Sequence, residues 1–331
     1  MPFEIIRNDI VQVRADAIVN TANPLPVIGA GTDAGIHAAA GEALLKARKA
    51  IGPMAVGEAA VTPGFDLPAK YVIHTVGPKW QGGGAGEEQL LEGCYRRCLE
   101  LARQHGCKSI AFPLICAGSY GFPKDRALQC ALRAISGYLM EQELMVWLVV
   151  FNREAFRLSE QLFRGVKSYI DEHYVERTLR AEGWRANIHL ERRALMEEPE
   201  CCSAPMAVPM CLEELVRQTD AGFSETLLKL IDQTGRKDSE IYTRANVSRQ
   251  HFSKIRNNPD YRPTKPTALA FAIALELTLE QTTDLIGRAG YALTNSSKFD
   301  VIVRYFIEQG NYSLFDINAA LFEFDQSLLG A

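Results

Sequence analysis

The chain is predicted to form a three-layer α/β sandwich followed by an all-helical region, and three observations predict it. Short apolar segments bounded by glycine and proline alternate with longer amphipathic segments throughout the first half of the chain. The segments SIAFPL at 109–114 and MVWLVVF at 145–151 are almost continuously apolar, as central strands covered on both faces are. From Leu212 onward, nearly every segment has helical periodicity instead.

The individual elements follow from the same patterns. Strands are expected at 3–6, 17–20, 58–62, 70–76, 109–114 and 145–151. Helices are expected in the first half at 33–50, 87–105, 124–140 and 153–175. In the second half they are expected at 212–219, 224–233, 238–245, 248–257, 267–276, 280–288, 298–309 and 314–328. Strands that alternate with helices indicate a sheet that lies between two helical layers.

The domain organisation follows from length and composition. A chain of 331 residues suggests about two domains at roughly 150 residues each. Residues 177–212 have no clear periodicity and contain three prolines, so they are interpreted as a linker. The predicted domains are therefore 1–176, an α/β domain, and 213–331, an all-helical domain with a segment of particular interest at 238–257.

Composition excludes several classes of protein. The 47% of hydrophobic residues and 23% of charged residues exclude wholesale disorder. No apolar stretch approaches 18 residues, so no membrane span is expected, and the start MPFEIIRNDI does not resemble a secretory signal. We therefore expect a cytoplasmic protein whose eight cysteines are reduced. Cys94 and Cys98, four apart in a helical segment, are interpreted as buried thiols, and no metal site is expected.

Two glycine-containing loops are candidates for anion binding. Gly29 and Gly31 follow the strand at 17–20 and precede a helix, and Gly118 and Gly121 lie in the same way after the strand at 109–114. Glycine lets the backbone approach a ligand closely, and a helix start offers free N–H groups to an anion. Together the loops could hold a diphosphate, although either one alone is more typical of an ordinary turn.

Four segments in this order resemble a known family. NDIVQVRADAIVNTAN, GAGTDAGIHAAAG, YVIHTVGP and FPLICAGSYGFP are similar to the motifs of a macro domain, the ADP-ribose-binding module, and the resemblance covers residues 1–176. It implies a mixed sheet of six or seven strands between helices. It also implies that the partner is ADP-ribose or an ADP-ribosylated macromolecule, and that no cofactor is needed.

The resemblance implies roles for individual residues. At the adenine end, Asp9 would accept a hydrogen bond from the adenine amino group, Ile10 would lie beside the base and Phe151 would stack on it. The residues matching the two phosphate loops are Gly29, Gly31 and Thr32 in the first, and Gly118, Ser119, Tyr120, Gly121 and Phe122 in the second.

Two residues are the predicted catalytic pair at the distal ribose. Asn23 matches the asparagine that holds a ribose hydroxyl, and Asp33 matches the aspartate of hydrolytic family members. A carboxylate there can take a proton from a positioned water molecule. The alternative is that Asp33 merely stabilises the first turn of its helix. His37, one turn later, is interpreted as a histidine buried in helix packing.

Departures from the family pattern leave the reaction open. Ala30 stands within the run where the family usually has three glycines, and Thr32 stands where the family commonly has an apolar residue. In the second loop, Cys116-Ala117 stands where the family usually has Ser-Thr. These changes are compatible with binding. A purely binding macro domain therefore remains the alternative to a mono-ADP-ribosyl hydrolase.

The segment DSEIYTRANVSRQHFSKIRNN, 238–258, resembles the helix-turn-helix of phage-repressor-like regulators. Asn246 is suited to a left-handed turn, and Val247 is expected in the core. Ser248 is expected to cap the second helix, whose inward residues would be Phe252 and Ile255.

Local charge makes DNA a candidate partner of this segment. Residues 244–265 contain six basic groups and one acidic group, whereas 266–331 contain three basic and eight acidic groups. The candidate nucleic-acid contacts are Arg249, Gln250, Lys254 and Arg256. The alternative is a helical module that only interacts with protein, for example as a homodimer. Two hypotheses therefore remain, a mono-ADP-ribosyl hydrolase and a non-catalytic ADP-ribose sensor coupled to a DNA-binding or dimerising domain.

Overall fold

A six-stranded mixed sheet forms the centre of the first half of the chain. The computed structural model describes residues 3–151, 164–170 and 221–330. The strands are β1 (Phe3–Arg7), β2 (Ala17–Thr21), β3 (Ala59–Pro63), β4 (Tyr71–Thr75), β5 (Ser109–Pro113) and β6 (Met145–Val150). Their order is β1-β6-β5-β2-β4-β3, and every neighbouring pair is parallel except β3 with β4. The predicted α/β fold class and its mixed sheet are confirmed.

Helices cover both faces of this sheet. They are α1 (Thr32–Ala40), α2 (Glu42–Ile51), α3 (Glu87–Gln104) and α4 (Lys124–Glu141). The single helix predicted at 33–50 is wrong, because Gly41 at φ +78° separates α1 from α2. Glycine adopts this conformation without the steric penalty that a Cβ atom imposes.

Two clusters of buried side chains hold the three layers together. Helices α3 and α4 contact one another over one face of the sheet, with Tyr95 and Phe112 fully buried there. On the other face, Ile36 and Leu44 of α1 and α2 pack on residues that include Ile18. Among the described residues, the cysteines are free thiols, and no helix is long and apolar enough to cross a bilayer.

The second half of the chain is helical where the structure describes it. Its helices are α5 (Phe223–Thr234), α6 (Asp238–Arg244), α7 (Arg249–Asn257), α8 (Lys265–Ala274), α9 (Leu279–Arg288), α10 (Lys298–Glu308) and α11 (Leu314–Glu323). Residues 164–170 are also helical. The linker predicted at 177–212, the helix predicted at 212–219 and most of that at 153–175 lie outside the described residues. Helix α11 ends five residues earlier than predicted, and Asp325 just beyond it has φ +54°.

The two halves meet at the edge strand β1. The Asn246 side chain pairs with the backbone of Phe3, accepting from its N–H at 3.0 Å and donating to its carbonyl at 2.8 Å. The Phe3 ring lies 5.1 Å from that of Phe315, and Arg7 forms an ion pair with Asp325 at 3.1 Å. Buried residues of both halves belong to one hydrophobic cluster, so the helical region packs directly on the sheet.

Candidate functional site

A cleft lies above the ends of the central strands, where the loops that follow β2, β5 and β6 converge. It consists of two cavities, of about 590 Å³ and about 240 Å³. Both are lined by Gly31 and Thr32 of the first glycine loop and by Leu114 and Gly118 of the second. Because these residues are shared, the cavities form one continuous cleft at the ends of parallel strands, where α/β sheets commonly bind ligands.

The larger cavity contains the predicted adenine-end residues. Asp9, Ile10 and Phe151 line it, and the Phe151 side chain is 71% exposed. An aromatic ring left so exposed at a cavity offers a face for stacking. One carboxylate oxygen of Asp9 accepts a hydrogen bond from the Val11 N–H at 3.1 Å, so Asp9 also caps a short 3-10 turn, Ile10–Gln12.

The first glycine loop ends at the start of α1. Gly31 is the N-cap residue at φ +65°, and no side chain caps the helix there. The first N–H groups of α1 therefore lie beside the cleft with the positive end of the helix dipole, an arrangement that favours an anion.

The second glycine loop is held by a turn and an aromatic contact. Gly121, at φ +73°, donates its N–H to the Gly118 carbonyl at 3.0 Å. Phe122 is buried, and its ring lies 4.6 Å from that of Trp80. The Trp80 N–H donates to the Tyr120 carbonyl at 3.0 Å. Gly121 and Phe122 line neither of these two cavities.

The smaller cavity brings the predicted catalytic residues together. Asn23, Asp33 and Tyr120 all line it, along with Gly29 and Ser119. The Tyr120 hydroxyl donates to the Asn23 side-chain oxygen at 3.4 Å, and the Asn23 amide donates to the Val27 carbonyl at 3.2 Å. Burial raises the pKa of Tyr120, so its phenol remains protonated at neutral pH.

Asp33 is buried at the base of this cavity with both carboxylate oxygens engaged. One oxygen accepts from the Asn20 amide at 2.6 Å, and the other accepts from the Gly29 N–H at 2.5 Å. His37 Nε2 lies 3.6 Å from the first oxygen, and burial lowers the pKa of His37, which favours the neutral ring. The predicted burial of His37 is confirmed, with 6% of its surface exposed.

Arg48 is a residue of the site that the sequence analysis missed. Its guanidinium is buried and donates to the carbonyls of Asn23 at 3.0 Å, Pro24 at 3.4 Å and Gly52. These bonds hold the loop after β2 against α2. Arg48 occupies an ordinary amphipathic helix pattern, so the sequence contains no local signal for this role.

Asn20 and His74 were also missed as parts of the site. Asn20 donates its side-chain N–H to Asp33, as described above, and lies opposite His74 in the register of β2 and β4. Both side chains are fully buried. A polar residue inside an apolar strand pattern is the signal that could have identified them.

In the helical half, helices α6 and α7 are joined by a tight turn. Asn246 has φ +54°, Val247 is buried and the Ser248 hydroxyl accepts from the His251 N–H, as predicted. The inward positions of Phe252 and Ile255 are also confirmed.

The outer face of α7 is exposed but only partly basic. Arg249, Gln250, Lys254 and Arg256 are all exposed. Arg256 forms an ion pair with Asp238 of α6. Elsewhere in the predicted basic segment, Arg244 pairs with Glu276 and Lys265 with Asp300. Half of the six basic groups are therefore neutralised by acidic groups that lie far away in sequence.

Comparisons with known proteins place the chain in a family. A family model described as Macro domain matches residues 19–131. A macro domain-containing protein of Methanosarcina mazei is 50% identical over 155 residues, which are 46% of this chain and 83% of that protein. A Salmonella typhimurium protein named O-acetyl-ADP-ribose deacetylase is 45% identical over 166 residues, 48% of this chain and 93% of the relative.

A solved structure, the Oceanobacillus iheyensis macrodomain with ADP, is 38% identical, with a TM-score of 0.45 and coverage of 46% of this chain and 85% of that one. The sequence relatives are matched over most of their own length at high identity, and the matched family model contains both glycine loops of the cleft. The chain therefore belongs to the macro domain family.

Proposed function

We propose that the chain binds ADP-ribose in the cleft and hydrolyses mono-ADP-ribose from modified side chains or related esters of the distal ribose. The larger cavity, with Asp9 and Phe151, would take the adenine. The shared glycine loops would take the diphosphate, and the smaller cavity would take the distal ribose. Relatives named O-acetyl-ADP-ribose deacetylase support an ester as one substrate.

One observation carries this proposal, namely that Asp33, Asn23 and Tyr120 line the same small cavity. In the proposed reaction a water molecule in this cavity gives its proton to Asp33, and its oxygen attacks the ester. The bond between the acyl carbon and the ribose oxygen then breaks, and the proton held by Asp33 passes to that oxygen, so water is divided between the carboxylic acid and ADP-ribose. Asn23 would position a ribose hydroxyl, and Tyr120 would pack against the ribose.

Calorimetry with ADP-ribose, followed by a hydrolysis panel on the same sample, tests the proposal. Asp33→Ala should abolish turnover while ADP-ribose binding is largely retained. Asp9→Ala is the matched control at the other end of the cleft. It should weaken ADP-ribose binding more than it lowers the turnover rate of bound substrate. Tight ADP-ribose binding with no release from any ADP-ribosylated substrate or ester would refute the hydrolase and leave a binding module.

A second candidate is a sensor in which ADP-ribose binding alters nucleic-acid binding by the helical half. The contact between Asn246 and Phe3 favours it, because β1 leads directly to Asp9 at the cleft. Exposed Arg249, Gln250 and Lys254 would provide the DNA contacts. Coupling requires that ligand and DNA change one another's affinity by the same factor. DNA affinity that is identical with and without saturating ADP-ribose would contradict this candidate, as would salt-insensitive binding.

A further inference from the structure

Asn20 occupies an unusual place beneath the smaller cavity. It lies next to the end of β2, is fully buried and uses one side-chain nitrogen for two bonds. That nitrogen is 2.6 Å from a carboxylate oxygen of Asp33 and 3.1 Å from Nδ1 of His74. An amide nitrogen carries two protons, so it can donate to both partners at once.

This geometry determines the state of His74. Because the Asn20 nitrogen can only donate, Nδ1 of His74 must be the unprotonated acceptor. The ring proton is then on Nε2, which lies 2.9 Å from the Thr62 hydroxyl and donates to it. Burial, aided by the positive charge of Arg48, lowers the pKa of His74 to about 3, so the ring is neutral at physiological pH.

The reverse orientation of the Asn20 amide is excluded. It would place the carbonyl oxygen 2.6 Å from the Asp33 carboxylate, where two acceptors repel one another. In the observed orientation the Asn20 oxygen is buried with no hydrogen-bond partner among the described residues. A buried polar atom without a partner lowers the stability of the folded protein, so stability alone does not account for a buried asparagine at this position.

We infer that Asn20 and His74 are positioning residues for the proposed hydrolysis, a step that rests on the proposed function. Thr62 orients His74, His74 orients Asn20, and Asn20 holds one oxygen of Asp33 while the Gly29 N–H holds the other. The carboxylate is thereby held in one orientation at the base of the cavity, where it would meet the attacking water. Neither Asn20 nor His74 lines the cavity, so both act through Asp33.

The first test separates positioning from binding. Asn20→Leu keeps the side-chain volume but removes both bonds, and kcat for an ADP-ribose ester should fall about 10- to 100-fold, as it does when a reacting group is misplaced. KM and the calorimetric Kd for ADP-ribose should change less than about threefold, because these residues do not contact the ligand. Asn318→Leu is the matched control, since Asn318 in the helical half is fully buried and forms two hydrogen bonds with the backbone of Leu329. It should leave kcat unchanged.

The second test asks whether the residues act in series. His74→Phe alone should also lower kcat, but adding it to Asn20→Leu should cause little further loss, because the link to Asp33 is already absent. Independent, additive losses would overturn the inference. So would an unchanged kcat in Asn20→Leu, or a loss seen only as weaker ADP-ribose binding.

A third measurement needs no turnover. Nitrogen-15 NMR of the wild-type protein should show His74 as the neutral Nε2–H tautomer throughout pH 5–8, and Thr62→Val should perturb its Nε2 signal. A protonated Nδ1, or titration near the ordinary histidine pKa, would overturn the inference even if the Asn20 variant failed to fold. Wild-type protein with the expected tautomer but no hydrolysis would instead refute the proposed function, and with it the role in catalysis.

Discussion

Gly29→Ala should impair turnover by displacing two residues of the proposed catalytic site. A Cβ atom added at Gly29 would lie 2.7 Å from the Asn23 side-chain nitrogen and 3.2 Å from a carboxylate oxygen of Asp33. Ordinary contacts begin at 3.4 Å, so Asn23 would have to move by about 0.7 Å. Displacements of about 1 Å can cost roughly 100-fold in rate, so we expect kcat to fall about 10- to 100-fold, or about 1.4 to 2.7 kcal/mol.

Steady-state hydrolysis of an ADP-ribose ester measures this effect, with calorimetry for ADP-ribose affinity and thermal unfolding for stability. Gly29 does not have a positive φ, so the substitution adds no backbone strain and the melting temperature should change little. Gly137→Ala in α4 is the matched control, because a Cβ atom there would meet nothing within 4 Å. Wild-type kcat in Gly29→Ala would refute the placement of Asn23 and Asp33 as reacting groups.

Three further substitutions test other parts of the structure. Asn246→Ala should destabilise the protein by about 2 to 4 kcal/mol in denaturant unfolding, because both backbone groups of Phe3 lose their partner; an unchanged midpoint would contradict this contact. Phe151→Ala should weaken ADP-ribose binding about tenfold by calorimetry if the ring stacks on adenine, and unchanged affinity would exclude stacking. Backbone N–H groups lower the pKa of the Glu87 carboxyl, first that of Glu87 itself and then those of the loop 81–85. The ionised carboxylate therefore stabilises the folded protein fully above about pH 4.5, and this contribution is lost as pH falls through the lowered pKa. Glu87→Gln should remove this loss of stability at acid pH when the free energy of unfolding is measured as a function of pH. An unchanged dependence of that free energy on pH would contradict the prediction.

The strands of the sheet could be predicted from the sequence to within about two residues. Each is a short apolar segment of five or six residues, and this pattern of apolar residues is local to the segment. Helix boundaries were less well predicted where a break depends on one backbone conformation. Gly41 separates α1 from α2, and a glycine within a helical pattern is compatible with either continuation or a break.

The candidate site was predicted only where its residues lie in contiguous motifs. Asp33, Asn23 and the glycine loops were identified from the segments that follow β2 and β5. Arg48 was not identified, because its partners are backbone carbonyls of another loop. Carbonyl groups are present at every position, so no residue pattern reveals which of them a buried guanidinium will contact.

The sequence by itself determined the strand and helix pattern, the glycine loops and the family to which the first half belongs. The tertiary structure decided which side chains meet. It joined Asn20 to Asp33 and His74, and it placed Asn246 on Phe3, 243 residues away in sequence. It also paired three of the six basic groups near α7 with acidic residues outside the segment, so half of these basic groups have an acidic partner. Local patterns report backbone preference and burial, whereas hydrogen bonds and ion pairs depend on the folded arrangement of distant segments.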